Sequence, residues 1–252
     1  MPAAYYLPFL FVLGLCVGSF LNACIYRLPR GISLAAPPSH CPACGARLKP
    51  LDLIPVLSYL FLRGRCRHCG RAISPRYPLV EVLTGTGFLL IGWKYGLNLP
   101  AAAQLVFFTV LVAAAFIDLE HRIIPDRLNF FALGAGVILV ALQGTGALKD
   151  GLLGAILAGG LLFFVALLSR GGMGGGDVKL ALVMGLYLGW QKVIVALFFS
   201  FLLGAAAGLL WVYATRQNLK AVVPFGPFLA AGSFLAVMAG EEVISWYVSF
   251  LP

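Results

Sequence analysis

Charged residues are scarce in this chain. Asp, Glu, Lys and Arg make up 11% of its 252 residues, where a soluble domain carries about 25%. Apolar residues reach 61% and the mean hydropathy is +0.97. That balance excludes a soluble globular domain and fits a polytopic membrane protein. Acidic residues are scarcest, 9 against 18 basic ones. A basic excess could serve nucleic acid, but these residues sit in short loops between apolar runs. There they set topology and meet anionic lipid, so no nucleic-acid partner is expected. The first apolar run, at about 5–26, lacks a basic n-region. Its exit, NACIYRLP at 22–29, lacks a small-residue cleavage site, so it reads as a retained span and not as a signal peptide.

What the chain does have is a series of apolar runs. They fall at about 5–26, 78–95, 101–117, 128–142, 151–169, 178–188, 193–215 and 225–240. The sixth is short unless it starts inside the loop before it. The fold class expected is therefore an all-α polytopic membrane protein of about eight transmembrane helices. Residues 1–26 form the first span, 27–77 a polar loop domain, and 78–252 the remaining membrane part. Alternate loops share a side. The loops at 27–77, 118–127, 169–179 and 216–220 hold every Lys and Arg except Lys94, Lys149 and Lys192. The positive-inside rule puts the rich side in the cytoplasm and both termini outside. Small residues in the runs at 151–169 and 193–215, such as Gly154, Ala158, Gly159 and Gly204, suit close helix packing in lipid.

The loop domain contains two knuckles, Cys41-Pro-Ala-Cys44-Gly and Cys66-Arg-His-Cys69-Gly. Four thiolates make a tetrahedral zinc site, and the glycine after each pair suits a tight turn. A reducing side of the membrane disfavours disulfides. A closed four-thiolate site is structural, so zinc is expected to fold the loop. His40 and His68 read as surface residues. Cys16 and Cys24, inside the first span, read as small hydrophobes. Around the knuckles lie Arg47, Lys49, Arg63, Arg65, Arg67, Arg71 and Arg76. They either set topology and touch lipid headgroups, or help to dock an anionic cofactor or substrate.

Few carboxylates remain, and two stand out. Asp177 follows Gly171, Gly172, Gly174, Gly175 and Gly176 and would open a membrane helix beside bare backbone where an extended peptide could lie. Asp118 closes the third span. Both belong to loops on the predicted cytoplasmic side. Two carboxylates and a water can hydrolyse an amide: one takes the water's proton, while the other, protonated, polarises the carbonyl. Glu120 and Asp126 are rival partners. Asp126 follows Pro125 and is expected to cap the fourth span. Glu120 and His121 are expected to face water, and Lys179 to neutralise charge or touch lipid phosphate. Glu81, at the start of the second span, is expected to cap it or to pair with Arg27 or Arg76.

Taken in order, these stretches resemble the type IV prepilin peptidases, a family of GxGD-type intramembrane aspartyl proteases. The resemblance rests on FLNACIYRLP at 20–29, the two knuckles, IPVLSY at 54–59, RYPLVE at 76–81, Ile117-Asp118 with IPD at 124–126, and GGGDVKL at 174–180. It spans about residues 7–230. It implies that Asp118 and Asp177 are the catalytic aspartates. It also implies that the substrates are prepilins and pseudopilins, cut at the cytoplasmic face of the bacterial inner membrane. Their leaders are short and basic, with glycine before the cut and usually phenylalanine after it. Members with the large loop domain commonly methylate the new N-terminal amine with S-adenosylmethionine, so both activities are expected, with 27–77 as the methyltransferase part and 78–252 as the peptidase. No Gly-rich methyltransferase fingerprint is present. Asn22, Arg27 and Glu81 are the candidates for holding the cofactor. A presenilin-like protease would share GxGD but lack the cysteine loop. A membrane scaffold or transporter would use the aspartates for protons and cut nothing.

Overall fold

The computed structural model describes residues 3–169, 172–215 and 224–250. Arg170 and Gly171 of the glycine-rich loop, and the basic loop at 216–223 with Arg216 and Lys220, lie outside the described residues. The chain forms two compact units, Met1–Leu97 and Asn98–Pro252. All regular elements among the described residues are helical. Among the described residues, five helices are long and apolar enough to cross a membrane.

The first unit is built on two antiparallel helices, α1 (Ala3–Arg27) and α3 (Arg76–Tyr95). Glycines allow them to touch. A Cβ on Gly18 would stand 2.7 Å from Glu81 Cα, and one on Gly14 would stand 2.8 Å from Gly85 Cα. Asn22, near the end of α1, donates to the Tyr77 carbonyl at 3.0 Å, near the start of α3. Between them the chain leaves the helix pair and makes two 3-10 turns, Leu28–Arg30 and Pro50–Leu53, and the short helix α2 (Leu57–Phe61).

The second unit holds α4 (Leu99–His121), α5 (Asp126–Ala141), α6 (Thr145–Leu168), α7 (Gly175–Thr215) and α8 (Gly226–Val248). Asn98 caps α4 by accepting the Ala101 N–H at 2.8 Å, as its position before Pro100 favours. Arg122 ends it in a left-handed conformation. The run of helix from Gly175 to Thr215 is broken at Gly189, whose φ 76 and ψ 172 leave helical space. Contacts on either side reveal a reversal. Before the break, Gly159 meets Leu182 and Gly151 meets Leu186, so this segment runs antiparallel to α6. It also runs antiparallel to α4, where Gln104 donates to the Tyr187 carbonyl and Asp118 lies near Asp177. After the break, Gly240 meets Lys192 and Gly204 meets Phe228, so that segment runs antiparallel to α8. Helix α4 is itself antiparallel to α8, with Phe108 against Phe234 and Asp118 at Gly226. The two segments of α7 therefore point in opposite directions.

A residue with a Cβ would resist that positive φ, so the reversal needs the glycine. The first segment starts at Gly175, inside the glycine-rich loop, which relieves the shortness of the 178–188 run. The small residues of α6 fall where α7 comes closest: a Cβ on Gly185 would collide with the Gly154 carbonyl. The consequence is one end of the unit that gathers the C-terminus of α4 and the N-termini of α5, α7 and α8. Arg122, Arg127 and Lys179 are at that end; Lys149 and Lys192 are at the other.

Candidate active site and metal centre

In the first unit the two knuckles fold alike. The Gly45 N–H donates to the Cys41 carbonyl and the Gly70 N–H to the Cys66 carbonyl, each at 2.9 Å. Gly45 (φ 70) and Gly70 (φ 69) take left-handed conformations that favour glycine. The Cys41 N–H then reaches the Ala46 carbonyl, and the Cys66 N–H the Arg71 carbonyl. These turns bring the four sulfurs within 4.8 Å of one another. Zinc–sulfur bonds of about 2.3 Å in a tetrahedron separate sulfurs by roughly 3.8 Å, so the cluster could hold one such ion. The N–H groups of Cys69 and His68 draw the Cys66 thiol down to about 7, which favours the thiolate a metal needs. His40 is half-buried and His68 exposed. Cys24 is buried and Cys16 exposed on the helix surface.

The three cofactor candidates behave differently from one another. Arg27 is buried, and its guanidinium donates to the carbonyls of Ser33, Leu34 and Pro37 at 3.0, 3.2 and 2.6 Å. It ties the first part of the loop to the end of α1. Glu81 neither caps α3 nor pairs with Arg27. It lies inside the helix, and its carboxylate accepts the Val56 N–H at 2.7 Å and the Ser19 hydroxyl. The reason lies in Val56. Its φ of 61 and ψ of −51, with Leu57 N–H donating to the Pro55 carbonyl at 2.5 Å, make a positive-φ γ-turn. Such turns are rare and strained. Glu81 supplies the acceptor for the Val56 N–H. Asn22 alone keeps a polar atom free: it is 2% exposed and its Oδ1 has no protein partner. Arg27 is thus bonded to the backbone of the loop, and Glu81 to the loop at Val56 and to Ser19 of α1.

In the second unit Asp118 is buried near the end of α4, and its Oδ2 accepts the Gly226 N–H at 2.8 Å. Asp177 stands in the first turn of α7. Its Oδ2 accepts the Gly174 N–H at 3.2 Å, as the third residue of a helix does in a capping box. Its Oδ1 is buried without a protein partner. The two carboxylates are near enough for their charges to interact. Each glycine before Asp177 has its own surroundings. A Cβ on Gly176 would press on the Ile124 backbone, whereas Gly175 faces open space.

The rival carboxylates are placed elsewhere. Asp126 makes no side-chain cap on α5; it pairs with Lys179 at 2.6 Å. A cation two residues from Asp177 outcompetes the helix terminus for that carboxylate. Lys179 therefore neutralises Asp126. Glu120 is exposed and stands 4.0 Å from half-buried His121. Gly226 is the residue sequence reasoning missed. Its signal is the run Pro224-Phe-Gly226-Pro227 at the start of the last helix.

Comparison with known proteins places these features. A family model described as the bacterial peptidase A24 N-terminal domain matches residues 12–95, and the type IV leader peptidase family matches residues 105–209. A prepilin leader peptidase/N-methyltransferase of Bacillus subtilis (strain 168) is 39% identical over 96% of this chain and 98% of its own length. This chain belongs to the type IV leader peptidase family. A second relative of the same name, from Aeromonas salmonicida (strain A449), is 35% identical over 97% of this chain and 94% of its own. A third, from Myxococcus xanthus (strain DK1622), is 44% identical over 83% of this chain and 64% of its own. No solved structure matches the chain. Within this type IV leader peptidase, the N-terminal match contains the four cysteines, Asn22, Arg27 and Glu81. The peptidase match contains Asp118 and Asp177, while Gly226 lies beyond it.

Proposed function

We propose that this chain cuts the basic leader from type IV prepilins and pseudopilins at the cytoplasmic face of the bacterial inner membrane. It also methylates the amine that the cut releases. The observation that carries the reading is the pair Asp118 and Asp177. They come from two helices, at one end of one helical unit, each fixed by a backbone N–H, with one Asp177 oxygen left over.

The chemistry follows from that arrangement. A water between the carboxylates loses a proton to the ionised one and attacks the scissile carbonyl carbon. The protonated carboxyl donates its proton to the carbonyl oxygen as the tetrahedral adduct forms. Collapse of the adduct breaks the C–N bond, and the nitrogen leaves as an amine with a proton returned from the first carboxyl. The unpaired Oδ1 of Asp177 is an acceptor for that water, and the Gly226 N–H keeps Asp118 from turning away. Open backbone at Gly175 offers room for an extended peptide.

The eight-span topology belongs to the same reading. Helices α1 and α3 contribute two crossings, and α4, α5, α6, the two segments of α7, and α8 contribute six. Arg122, Arg127 and Lys179 at the aspartate end, against Lys149 and Lys192 at the other, support a cytoplasmic placement of the pair. Both termini then lie outside. Zinc on Cys41, Cys44, Cys66 and Cys69 folds the cytoplasmic loop and takes no part in bond cleavage. S-adenosylmethionine would donate the methyl group. Of its candidate residues Asn22 keeps a buried polar atom without a partner.

The test is the intact mass of a prepilin after incubation with the purified protein, with and without S-adenosylmethionine. Loss of the leader, plus one methyl only when the donor is present, is the expected result. An unchanged mass, with a substrate that another peptidase of the family cuts, overturns the proposal in favour of a scaffold or transporter.

A further inference from the structure

The segment from Pro50 to Leu62 is built the wrong way round for a loop in water. Its large apolar side chains point outward: Leu51 is 67% exposed, Leu60 63% and Phe61 83%. Leu57 and Ile54 are exposed as well, and with Leu51, Phe61 and Leu62 they line an open groove of ≈ 240 Å³. A contiguous exposed apolar patch marks a surface that something covers.

Two observations identify what covers it. The first is charge. Arg67 lines the groove, and Arg47, Lys49, Arg63, Arg65 and Arg71 flank residues 50–62 in the sequence; all six are exposed. Asp52 is the only acidic residue between Arg27 and Tyr77, and Arg67 neutralises it at 2.8 Å. A basic leader peptide or a second copy of this loop would be repelled by such a surface. An anionic one is attracted. The second observation is depth. The Val56 N–H is bonded to Glu81, in the second turn of α3. That bond holds the segment beside the first turns of α3, which the reading of α3 as a membrane span puts at the level of the lipid headgroups.

We propose that residues 50–62 lie in the boundary between headgroups and acyl chains of the membrane. Leu51, Leu57, Leu60 and Phe61 enter the acyl region, and the flanking arginines hold anionic phospholipid headgroups. This is the pattern of an interfacial helix, an apolar face flanked by basic residues. The loop domain is thereby laid against the bilayer. The inference rests on the membrane reading of α3 and is independent of the peptidase chemistry.

The experiment uses the full protein in nanodiscs of mixed phosphatidylglycerol and phosphatidylcholine, with a photoreactive benzoylphenylalanine in place of Phe61. Illumination should attach phospholipid, with phosphatidylglycerol enriched over its share by about 5-fold, the value of one basic residue on an anionic leaflet. Arg63→Gln with Arg65→Gln should lower that enrichment and leave leader cleavage unchanged. A crosslink to another part of the protein or to a second copy, without lipid, overturns the proposal. A second measurement needs no substitution. Amide exchange over 50–62 should slow in nanodiscs containing phosphatidylglycerol relative to phosphatidylcholine alone, and equal rates in the two overturn it. Leader cleavage measured in the same preparations separates failure here from failure of the peptidase reading.

Discussion

The backbone N–H of Gly226 donates to Asp118 Oδ2 at 2.8 Å, and the same glycine leaves no room for a side chain. A Cβ there would stand 2.8 Å from Oδ2 and 3.0 Å from the Asp118 Cβ. One residue at the start of α8 thus holds a carboxylate at the end of α4. Gly226→Ala must push that carboxylate aside. Displacements of about 1 Å can cost on the order of 100-fold in rate. We expect a loss of that size in kcat/KM for leader cleavage. Methylation of a pilin already cut should continue at the normal rate. Cleavage at wild-type rate would show that Asp118 tolerates the shift or is not needed.

Asp118→Asn and Asp177→Asn should each abolish cleavage, because neither amide can exchange the protons that the scheme requires. Asp126→Asn is the informative control. Its partner is Lys179, on the surface, and an exposed pair of this kind contributes about 0–1 kcal/mol. The Asp126 variant should cut at near-normal rate and melt within a few degrees of wild type. A dead Asp126 variant, or an active Asp177 variant, would reassign the pair.

The contrast between these carboxylates marks what the sequence could and could not tell. The apolar runs, the knuckles and the places of Asp118 and Asp177 at helix ends are legible because each is a local pattern: a periodicity, a spacing, a charge in an apolar stretch. Partners were not legible where they depend on which helices meet. Asp126 looked like a cap because it follows proline, yet Lys179 from another helix claims it. Glu81 looked like a cap or an ion pair, yet a strained turn at Val56 claims it. Gly226 carries no charge, so nothing in the sequence ties it to Asp118, which it touches. The apolar runs at 178–188 and 193–215 leave four residues for a turn, yet the reversal takes one, because glycine adopts a φ of 76 without penalty.

Metal removal should separate the two units. Stripping the cysteine cluster with a strong chelator, or Cys41→Ser, takes away a ligand from a site that folds the loop. The 27–77 region should become sensitive to trypsin at Arg63, Arg65 and Arg67. Methyl transfer should fall more than leader cleavage. Metal analysis of the untreated protein should find one zinc per chain. Its absence from freshly purified, active protein would leave the four cysteines without the role given to them.

The clasp between Glu81 and Val56 gives the sharpest test of how the loop is held. Glu81→Ala leaves the Val56 N–H without an acceptor in a turn that is already strained. An abandoned, partly buried donor costs about 1–3 kcal/mol, and the strain that the bond held in place is released with it. The segment from Pro50 to Leu62 should then loosen. Amide exchange over those residues should quicken by on the order of 10-fold or more, as that free energy requires, while exchange in α4 to α8 stays unchanged. Glu81→Gln keeps an acceptor oxygen and should recover most of the protection. A carboxylate that bound S-adenosylmethionine instead would behave in the opposite way: both variants would lose methyl transfer alike, and the exchange of the loop without cofactor would not move. The ordering of wild type, Gln and Ala in loop protection therefore decides whether Glu81 positions the loop or holds the methyl donor.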